Sequence, residues 1–534
     1  MNKNIPRRHR VHKGFFLVFS VPLWEEKKYP TETQSSQRVF LRVLSAFVGR
    51  KKVSHGDTEF TKGFFLVFFA PLGDTKKMKL FYMNTKEILQ YVRDHPAGKV
   101  KIAITDIDGI LRGKYVSTEK FLSVIQSHAG FCDVVFGWDA NDVAYDNVTY
   151  TGWHTGYPDA PAKIDLSTFR KIPWESDIPF FLAEMMDNNN EPSPVCPRQL
   201  LKKVLKEANG DGYLPFFSQE FEWYNFAETP QSICEKQFKD LSPLTPGMFG
   251  YSILRSSLKN PFFTDLFELL RKFNVPLEGL HTETGPGTYE AAITYSEIIE
   301  AADRAVVFKT AVKEIAYKHD CMATFMAKIN ENLPGCGGHV HQSLWDRNGK
   351  KNLFYDEKDP QKMSGLMKNY IAGQLYCLPQ ILPMFAPVIN SYKRLVEGAW
   401  APTTLTWGTD NRTVALRVLA NASKSCRLET RVIGSDVNPY LAMAASLASG
   451  LYGIKNKLKL KQPATKGNGY KDFSNGTLPK TLDEATQMMK DSKVAKEIFG
   501  EKFVEHFTQT REWEWKQHLK AVTDWEYRRY FEII

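Results

Sequence analysis

The chain has 534 residues, 43% hydrophobic and 24% charged, ordinary values for a globular protein long enough for two or more domains. Its net charge of +10 is confined to the first 80 residues, which hold 16 of the 70 Lys and Arg but 6 of the 60 Asp and Glu, so that 54 of each sign remain. This asymmetry, with no zinc-finger spacing and no RNA-binding aromatic motif, excludes a nucleic-acid reader, and no apolar run reaches the ~18 residues of a membrane helix.

The seven cysteines (Cys132, Cys196, Cys234, Cys321, Cys336, Cys377 and Cys426) are odd in number and scattered, with no CxxC pair. They indicate neither a disulfide framework nor a zinc knuckle, and a reducing, cytoplasmic setting is expected. Near the start, "KGFFLVFSVPL" (Lys13 to Leu23) recurs as "KGFFLVFFAPL" (Lys62 to Leu72). The basic run before the first copy resembles the opening of a secretory signal, but such a signal has no reason to reappear some fifty residues later. Residues 1–83 are therefore expected to be a basic, duplicated, disordered extension, with Met78 or Met83 as the alternative start.

Beyond it, "TKEILQYVRDH" (Thr85 to His95) has helical spacing, and Lys99 to Ser117 reads as two strands joined at Asp108-Gly109. "DNNNEPSPVCP" (Asp187 to Pro197) reads as a punctuated linker, followed by a helix with Pro at its start. Strands and long helices then alternate, among them "SEIIEAADRAVVFKTAVKEIAYKH" and "NPYLAMAASLASGLYGIKNKL", and the chain from Leu482 is helical and charged. The class is α+β, a small β-rich domain before a large one.

Several strands repeat one device. In "QEFEW", Glu220 and Glu222 share a face while Phe221 and Trp223 take the other, because side chains alternate along a strand. "HTETGPGTYE" pairs His281 with Glu283 and brings Glu290 across a Gly-Pro-Gly turn; "GGHVHQSL" pairs His339 with His341; "CRLETRV" aligns Arg427, Glu429 and Arg431. One such strand is what any half-solvated antiparallel sheet shows. Repeated between apolar partners and glycines, the pattern predicts a lined cavity. Carboxylates crowded there cannot all stay ionised without cations. Many oxygen ligands and few imidazoles suit Mg²⁺ or Mn²⁺, and paired divalent ions beside arginines suit phosphoryl chemistry. Without a GxxxxGK[ST] loop, any ATP is not held by a P-loop. The residues alone point to a metal-dependent, ATP-using transferase or phosphohydrolase.

"NSYKRLVEGAWAP" (Asn390 to Pro402), "DNRTVALRV" (Asp410 to Val418) and "SKSCRLETRV" (Ser423 to Val432) resemble signature blocks of glutamine synthetase, in its class I, bacterial-type branch with glutamine-synthetase-like relatives. "FFSQEFEWY", "HTETGPGTYE", "GGHVHQSL" and the "NPYLAMAASL" helix match further blocks in order, and the resemblance covers about Asn84 to Ile534. It implies a small N-terminal β-grasp domain over 84–190 and a large catalytic α+β domain over 191–534. It implies a ligase in which ATP converts the γ-carboxylate of L-glutamate to γ-glutamyl phosphate. Ammonia or another amine then displaces phosphate, giving glutamine or another γ-glutamyl amide. By the family pattern Glu222, Glu283 and Glu290 hold one Mg²⁺ or Mn²⁺ ion, and Glu220, His339 and Glu429 hold the other. Glu278, His341, Ser343, Arg417, Lys424 and Arg427 match nucleotide-contacting positions. Gly335, Arg394, Arg412 and Arg431 match groups that bind glutamate or its γ-phosphate, and Arg412 is carried over as catalytic. Asp106 in "AITDIDG" matches an aspartate that completes the amine site of a neighbouring subunit, which implies a ring-shaped homo-oligomer, commonly two stacked hexamers.

Two departures stand out. Glutamine-making members carry a Glu in a mobile flap, within a segment like "PGYEAP"; here the segment is "EGAWAP" and Trp400 stands in its place. An indole cannot deprotonate ammonium, so Trp400 is expected to set acceptor specificity toward an organic amine. In the glutamate loop, Pro334 stands at a usual Asn and Cys336 at a usual Ser. The bacterial adenylylation motif is not evident, Tyr470 in "GNGYKD" lying in unlike surroundings. The resemblance also admits a structural role without catalysis, as in the animal lens member lengsin, but a chain released from catalysis has no physical reason to keep six metal ligands. Because every matched block lies downstream, deleting residues 1–77 is expected to leave ligase turnover and assembly unchanged; a smaller oligomer on size-exclusion chromatography would contradict this.

Overall fold

The computed structural model describes residues 83–187 and 189–534, so the expectation for residues 1–83 lies outside the described residues except at Met83. The helix Thr85–Asp94 opens on a capping box. The Asn84 side chain accepts from the Glu87 amide, and the Glu87 carboxylate accepts from that of Asn84.

Six strands follow: β1 (Lys99–Thr105), β2 (Leu111–Ser117), β3 (Ala129–Cys132), β4 (Asp159–Ile164), β5 (Arg170–Ile172) and β6 (Ile178–Met185). They form one sheet in the order β2-β1-β6-β4-β3, with β5 on β6; β1 and β6 are parallel. Central β6 is buried along its whole length, as a strand covered on both faces must be. The expected β1–β2 hairpin is present, its turn closed by the Gly109 amide donating to Asp106 O.

The second sheet has nine strands: β7 (Tyr213–Phe226), β8 (Leu277–Thr282), β9 (Thr288–Ile293), β10 (Ser296–Glu297), β11 (Met322–Thr324), β12 (Val340–Asp346), β13 (Trp407–Thr409), β14 (Leu416–Leu419) and β15 (Arg427–Thr430). The order is β13-β14-β15-β12-β7-β9-β8, with β10 and β11 also pairing with β7. Behind it lie the helices Pro197–Gly210, Ile298–Lys318, Gly365–Ile381 and Pro439–Lys455. Pro439–Lys455 is apolar nearly all round and buried, the mark of a core helix. It approaches Gly365–Ile381 so closely that a Cβ on Gly373 would stand 2.6 Å from the Gly453 Cα.

The second half of the Asp187–Pro197 segment is packed: residues 189–192 are exposed, but Ser193, Val195 and Cys196 are buried, and Ser193 Oγ bonds the Tyr150 hydroxyl at 2.9 Å. Its Asn and Pro residues mark turns, which are as compatible with a packed connection as with an open one. Just beyond it, Arg198 ties the first sheet to the helices behind the second. Its guanidinium meets Asp303 at 2.9 and 3.0 Å and Glu184 of β6 at 2.8 Å, and the Tyr440 hydroxyl donates to the same Asp303 at 2.6 Å. All four residues are buried. Arg198→Met is expected to destabilise the protein by about 3–5 kcal/mol, because it strands the buried Asp303 carboxylate, while Glu184 keeps Lys202 at 2.6 Å. The check is the midpoint of a guanidinium chloride melt; an unshifted midpoint would contradict the expectation.

Candidate active site

The register of the second sheet assembles the site. Residues directly opposite on antiparallel strands share a face. Across β14, β15 and β12 one row runs Arg417, Glu429, His341; across β7, β9 and β8 another runs Glu222, Glu290, His281. Glu220 sits on β7 between the rows. On the opposite face of β7, Phe221 and Trp223 are fully buried, and Phe221 stacks on Phe308 of the helix Ile298–Lys318, centroids 5.5 Å apart. Alternation along the strand thus separates an apolar face from a chemical one.

Two groups of donor atoms come together, each within 4.8 Å: Glu220, His341 and Glu429, and His281, Glu283 and Glu290. His341 Nε2 lies 3.0 Å from Glu220 Oε1, while His339 Nδ1 lies 3.6 Å from Glu220 and 3.5 Å from Glu429. Both histidines of the "HVH" segment therefore face the first group. Glu222 borders the second through its pairing with Glu290, and its Oε2 accepts from the Gly337 amide at 2.7 Å. His281, given no role in the sequence reading, stands 3.6 Å from Glu290 and 3.8 Å from Glu283.

Charge explains the protonation pattern. Burial works to raise Glu429, but Arg431, His341 and His339 together outweigh it and hold the carboxyl at about 2. Burial is likewise overcome at Glu220, held well below the usual range by His341 and His339. Among the described residues no lysine or arginine pairs with Glu290. Burial, then Glu222, Glu220 and Glu283, push it up to about 10, so it keeps its proton at neutral pH. A donor set of carboxylates and imidazoles in which one acid stays protonated for want of positive charge fits hard divalent ions.

The arginines divide into braces and free groups. Arg417 donates to Glu429 at 2.9 Å and also holds Asp410, whose φ is +48°. Arg431 pairs with Glu429 and donates to Arg412 O at 3.1 Å; it sits just past β15, which is shorter than expected. Arg394 is buried, donates to Val432 O and Arg431 O, and reaches within 3.4 Å of His339 Nε2. Gly335 makes room for it: a Cβ there would lie 2.7 Å from Arg394 Cγ. Arg427 donates to His341 Nδ1 at 3.2 Å. Arg412, Lys424 and Glu278 are exposed, and Ser343 Oγ accepts from the Trp345 indole at 3.0 Å. Trp400 is 63% exposed, sits at φ +58°, and lines a cleft of about 720 Å³ with Arg412, Asp410 and Lys466.

Asp106 is not at this face of its own chain. It is buried at the end of β1, Oδ1 accepting from the Asp108 and Ile110 amides and Oδ2 from Arg112 Nε at 2.9 Å. These are the bonds of a strand-end turn. Tyr251, absent from the sequence reading, stacks on His281 with ring centroids 4.3 Å apart; thirty residues of separation left no local signal for it.

Five carboxylates and three imidazoles on one sheet face, edged by arginines, define a class: a protein of mixed α/β fold whose site suits divalent ions and phosphoryl chemistry. Comparison with known proteins agrees. Residues 194–530 match the family described as glutamine synthetase, catalytic domain. Type-1 glutamine synthetase 2 of Dictyostelium discoideum is 55% identical over 85% of this chain and 87% of its own. The glutamate–isopropylamine ligase of a Pseudomonas species is 38% identical over 84% of this chain and 99% of its own. A solved structure of GmaS with ADP superimposes with a TM-score of 0.73 at 25% identity, covering 83% of this chain and 99% of that one. The chain belongs to the glutamine synthetase family.

Glu290 generates a prediction. Its value near 10 lies above neutrality, so the carboxyl is protonated in the ion-free protein and must lose that proton to a cation. Saturation with Mg²⁺ at pH 7 is expected to release about one proton per chain. Calorimetric titration in buffers of different ionisation enthalpy measures this directly, and Glu290→Gln should abolish the buffer dependence.

Proposed function

We propose that this chain is an ATP-dependent ligase that joins the γ-carboxylate of L-glutamate to an amine through γ-glutamyl phosphate, releasing ADP and phosphate. The observation that carries the reading is the pair of cross-strand rows, Arg417, Glu429, His341 and Glu222, Glu290, His281, with Glu220, Glu283 and His339 beside them. Relatives named glutamine synthetase and glutamate–isopropylamine ligase, and a similar structure described with ADP, support it.

Glu220, His339, His341 and Glu429 would hold one divalent ion, and Glu222, Glu283, Glu290 and His281 the other, with Mg²⁺ or Mn²⁺ the ions that oxygen-rich sets suit. When bound, the ions offset the charge of the transferring phosphoryl group. A carboxylate is a poor electrophile, and phosphorylation supplies it with a leaving group. Arg412 is the exposed guanidinium free to take the phosphate charge, while Arg417 and Arg431 fix Glu429. Arg394, held by two carbonyls beside Gly335, presents a fixed cation to the glutamate carboxylate. Glu278, Ser343, Lys424 and Arg427 edge the same face for the nucleotide, and Arg427 holds His341 toward the ion site. Water must stay out, since the acyl phosphate hydrolyses readily.

The acceptor is an organic amine in preference to ammonia. The exposed Trp400 indole by Arg412 offers an apolar wall and a face that attracts an organic cation, worth about 0.5–2 kcal/mol. Residues 84–190, with their six-stranded sheet, are read as the β-grasp domain, 191–534 as the catalytic domain, and the assembly as a cytoplasmic ring. Among the described residues no helix is long and apolar enough to cross a membrane. The turn contacts of Asp106 favour a supporting role over direct binding of a neighbour's amine.

Phosphate release with glutamate, ATP and a panel of ammonia, ethylamine, isopropylamine, ethanolamine and putrescine tests the reading. Alkylamines are expected to exceed ammonia in kcat/KM by about tenfold, and Trp400→Glu to erase that margin. Ammonia as best acceptor with an inert Trp400→Glu would make Trp400 flap packing and the product glutamine. Glu220→Ala should lower kcat by about a thousandfold or more while leaving the melt unchanged; near-normal turnover would remove Glu220 from the site.

A further inference from the structure

The cleft beside Trp400 carries more positive charge than phosphoryl transfer uses. Its volume is about 720 Å³, and its charged lining is Arg412 and Lys466 against Asp410 alone. Asp410 is already taken by Arg417, which stands outside the cleft. Among the described residues Arg412 and Lys466 enter no ion pair, and both are exposed. The walls are preformed. The Asn411 side chain donates to Thr465 O at 3.2 Å and to Gly467 O at 2.9 Å, and Thr413 Oγ1 accepts from the Gly469 amide at 2.8 Å. The loop carrying Arg412 is thus stapled to the loop carrying Lys466.

The approach to the cleft has the same sign. Residues 455–471 contain six lysines and no Asp or Glu. The first and last pair with Glu497 and Glu397. Leu460 and Ala464 pack on the core, while Lys457, Lys459, Lys461 and Lys466 are exposed and, among the described residues, unpaired. Cations spaced along a segment that runs into a cleft of like sign draw anions toward it.

We infer that the acceptor amine bears an anionic group, a carboxylate at the far end of a short alkyl or aryl body, and that Lys466 binds it. The acceptor class so named rests on the ligase reading. With Arg394 on the glutamate carboxylate and Arg412 on the phosphate, Lys466 is the cation of the cleft that neither uses. The body lies on the exposed Trp400 indole, which lines the same cleft. A second ammonium would meet the surplus positive charge, and a plain alkyl chain would leave Lys466 without a partner. The bonds that change are those of amide formation. The acceptor nitrogen joins the γ-carbonyl carbon, the C–O bond to phosphate breaks, and the ammonium form gives up two protons to solvent. The remote carboxylate takes no part in them. Its contact is equal in the ground and transition states, so it acts on KM and leaves kcat alone.

Phosphate release with saturating glutamate and ATP, measured for 4-aminobutanoate against butylamine and for 3-aminopropanoate against propylamine, compares acceptors of matched length. Each acid is expected to exceed its alkylamine in kcat/KM by about tenfold, a margin that shrinks as NaCl is raised. Lys466→Ala should raise KM for 4-aminobutanoate by about tenfold, with its kcat and the butylamine kinetics unchanged. Lys466→Arg should keep the preference, and Lys466→Glu should turn it toward putrescine. An alkylamine that matches its acid in the wild type overturns the inference, as does a margin that survives Lys466→Ala; both leave the ligase reading standing. Should no amine release phosphate, the ligase reading falls, and calorimetric titration of 4-aminobutanoate into the full-length protein decides the cleft. Affinity about tenfold weaker in Lys466→Ala places the anion on Lys466; affinity unchanged, or no saturable heat, removes it.

Discussion

Glu222 and Glu290 stand directly opposite each other on β7 and β9, with Glu220 and Glu283 close enough to add to their repulsion. Like charges so placed cost free energy unless a proton, an arginine or a metal ion intervenes. Around Glu429 the protein supplies that charge itself, through Arg417 and Arg431, and two histidines stand against Glu220. Around Glu290 no arginine or lysine intervenes among the described residues, and a proton stays. The site is therefore asymmetric in its ion-free form: one half internally neutralised, the other waiting for a cation.

Such a face holds its geometry only if its backing is rigid. Phe221 and Trp223, interleaved with the two β7 glutamates, lock into Phe308 and Phe325. The helix carrying Phe308 is in turn fixed at Asp303 by Arg198 and at Lys309, which donates to Val437 O at 3.0 Å. Side-chain positions at the site are thus set by a continuous run of packed rings and buried ion pairs, as a close-packed interior transmits displacement.

Which residues would share a face was legible in the sequence, because alternation is local: "QEFEW", "HTETGPGTYE" and "HVHQ" all behave as read. What local pattern cannot carry is register. The placement of Glu429 opposite His341, and of His281 opposite Glu290, depends on pairing between distant segments, so the donor sets came from family resemblance and His281 lacked a role. Asp106 shows what pattern alone leaves open, since an Asp beside a Gly turn satisfies backbone amides in its own chain and its part in a neighbouring subunit's site is not a local property. The Asp187–Pro197 segment shows the same ambiguity for turn-forming residues, which report a change of direction but not whether the turn is covered.

The length of β7 has a consequence for biosynthesis. The first half of its fourteen residues, 213–219, is paired on one side by β12, whose last residue lies about 120 positions beyond the end of β7. At synthesis rates of about 5–20 residues per second, the strand leaves the ribosome on the order of ten seconds before that partner exists. For that interval Phe217, Phe221 and Trp223 line one face of a long strand with an open edge, the form most prone to pairing with another chain. The nascent protein is therefore a natural client for chaperones over this window, and its yield in a heterologous host should depend on chaperone supply more than on the stability of the finished fold.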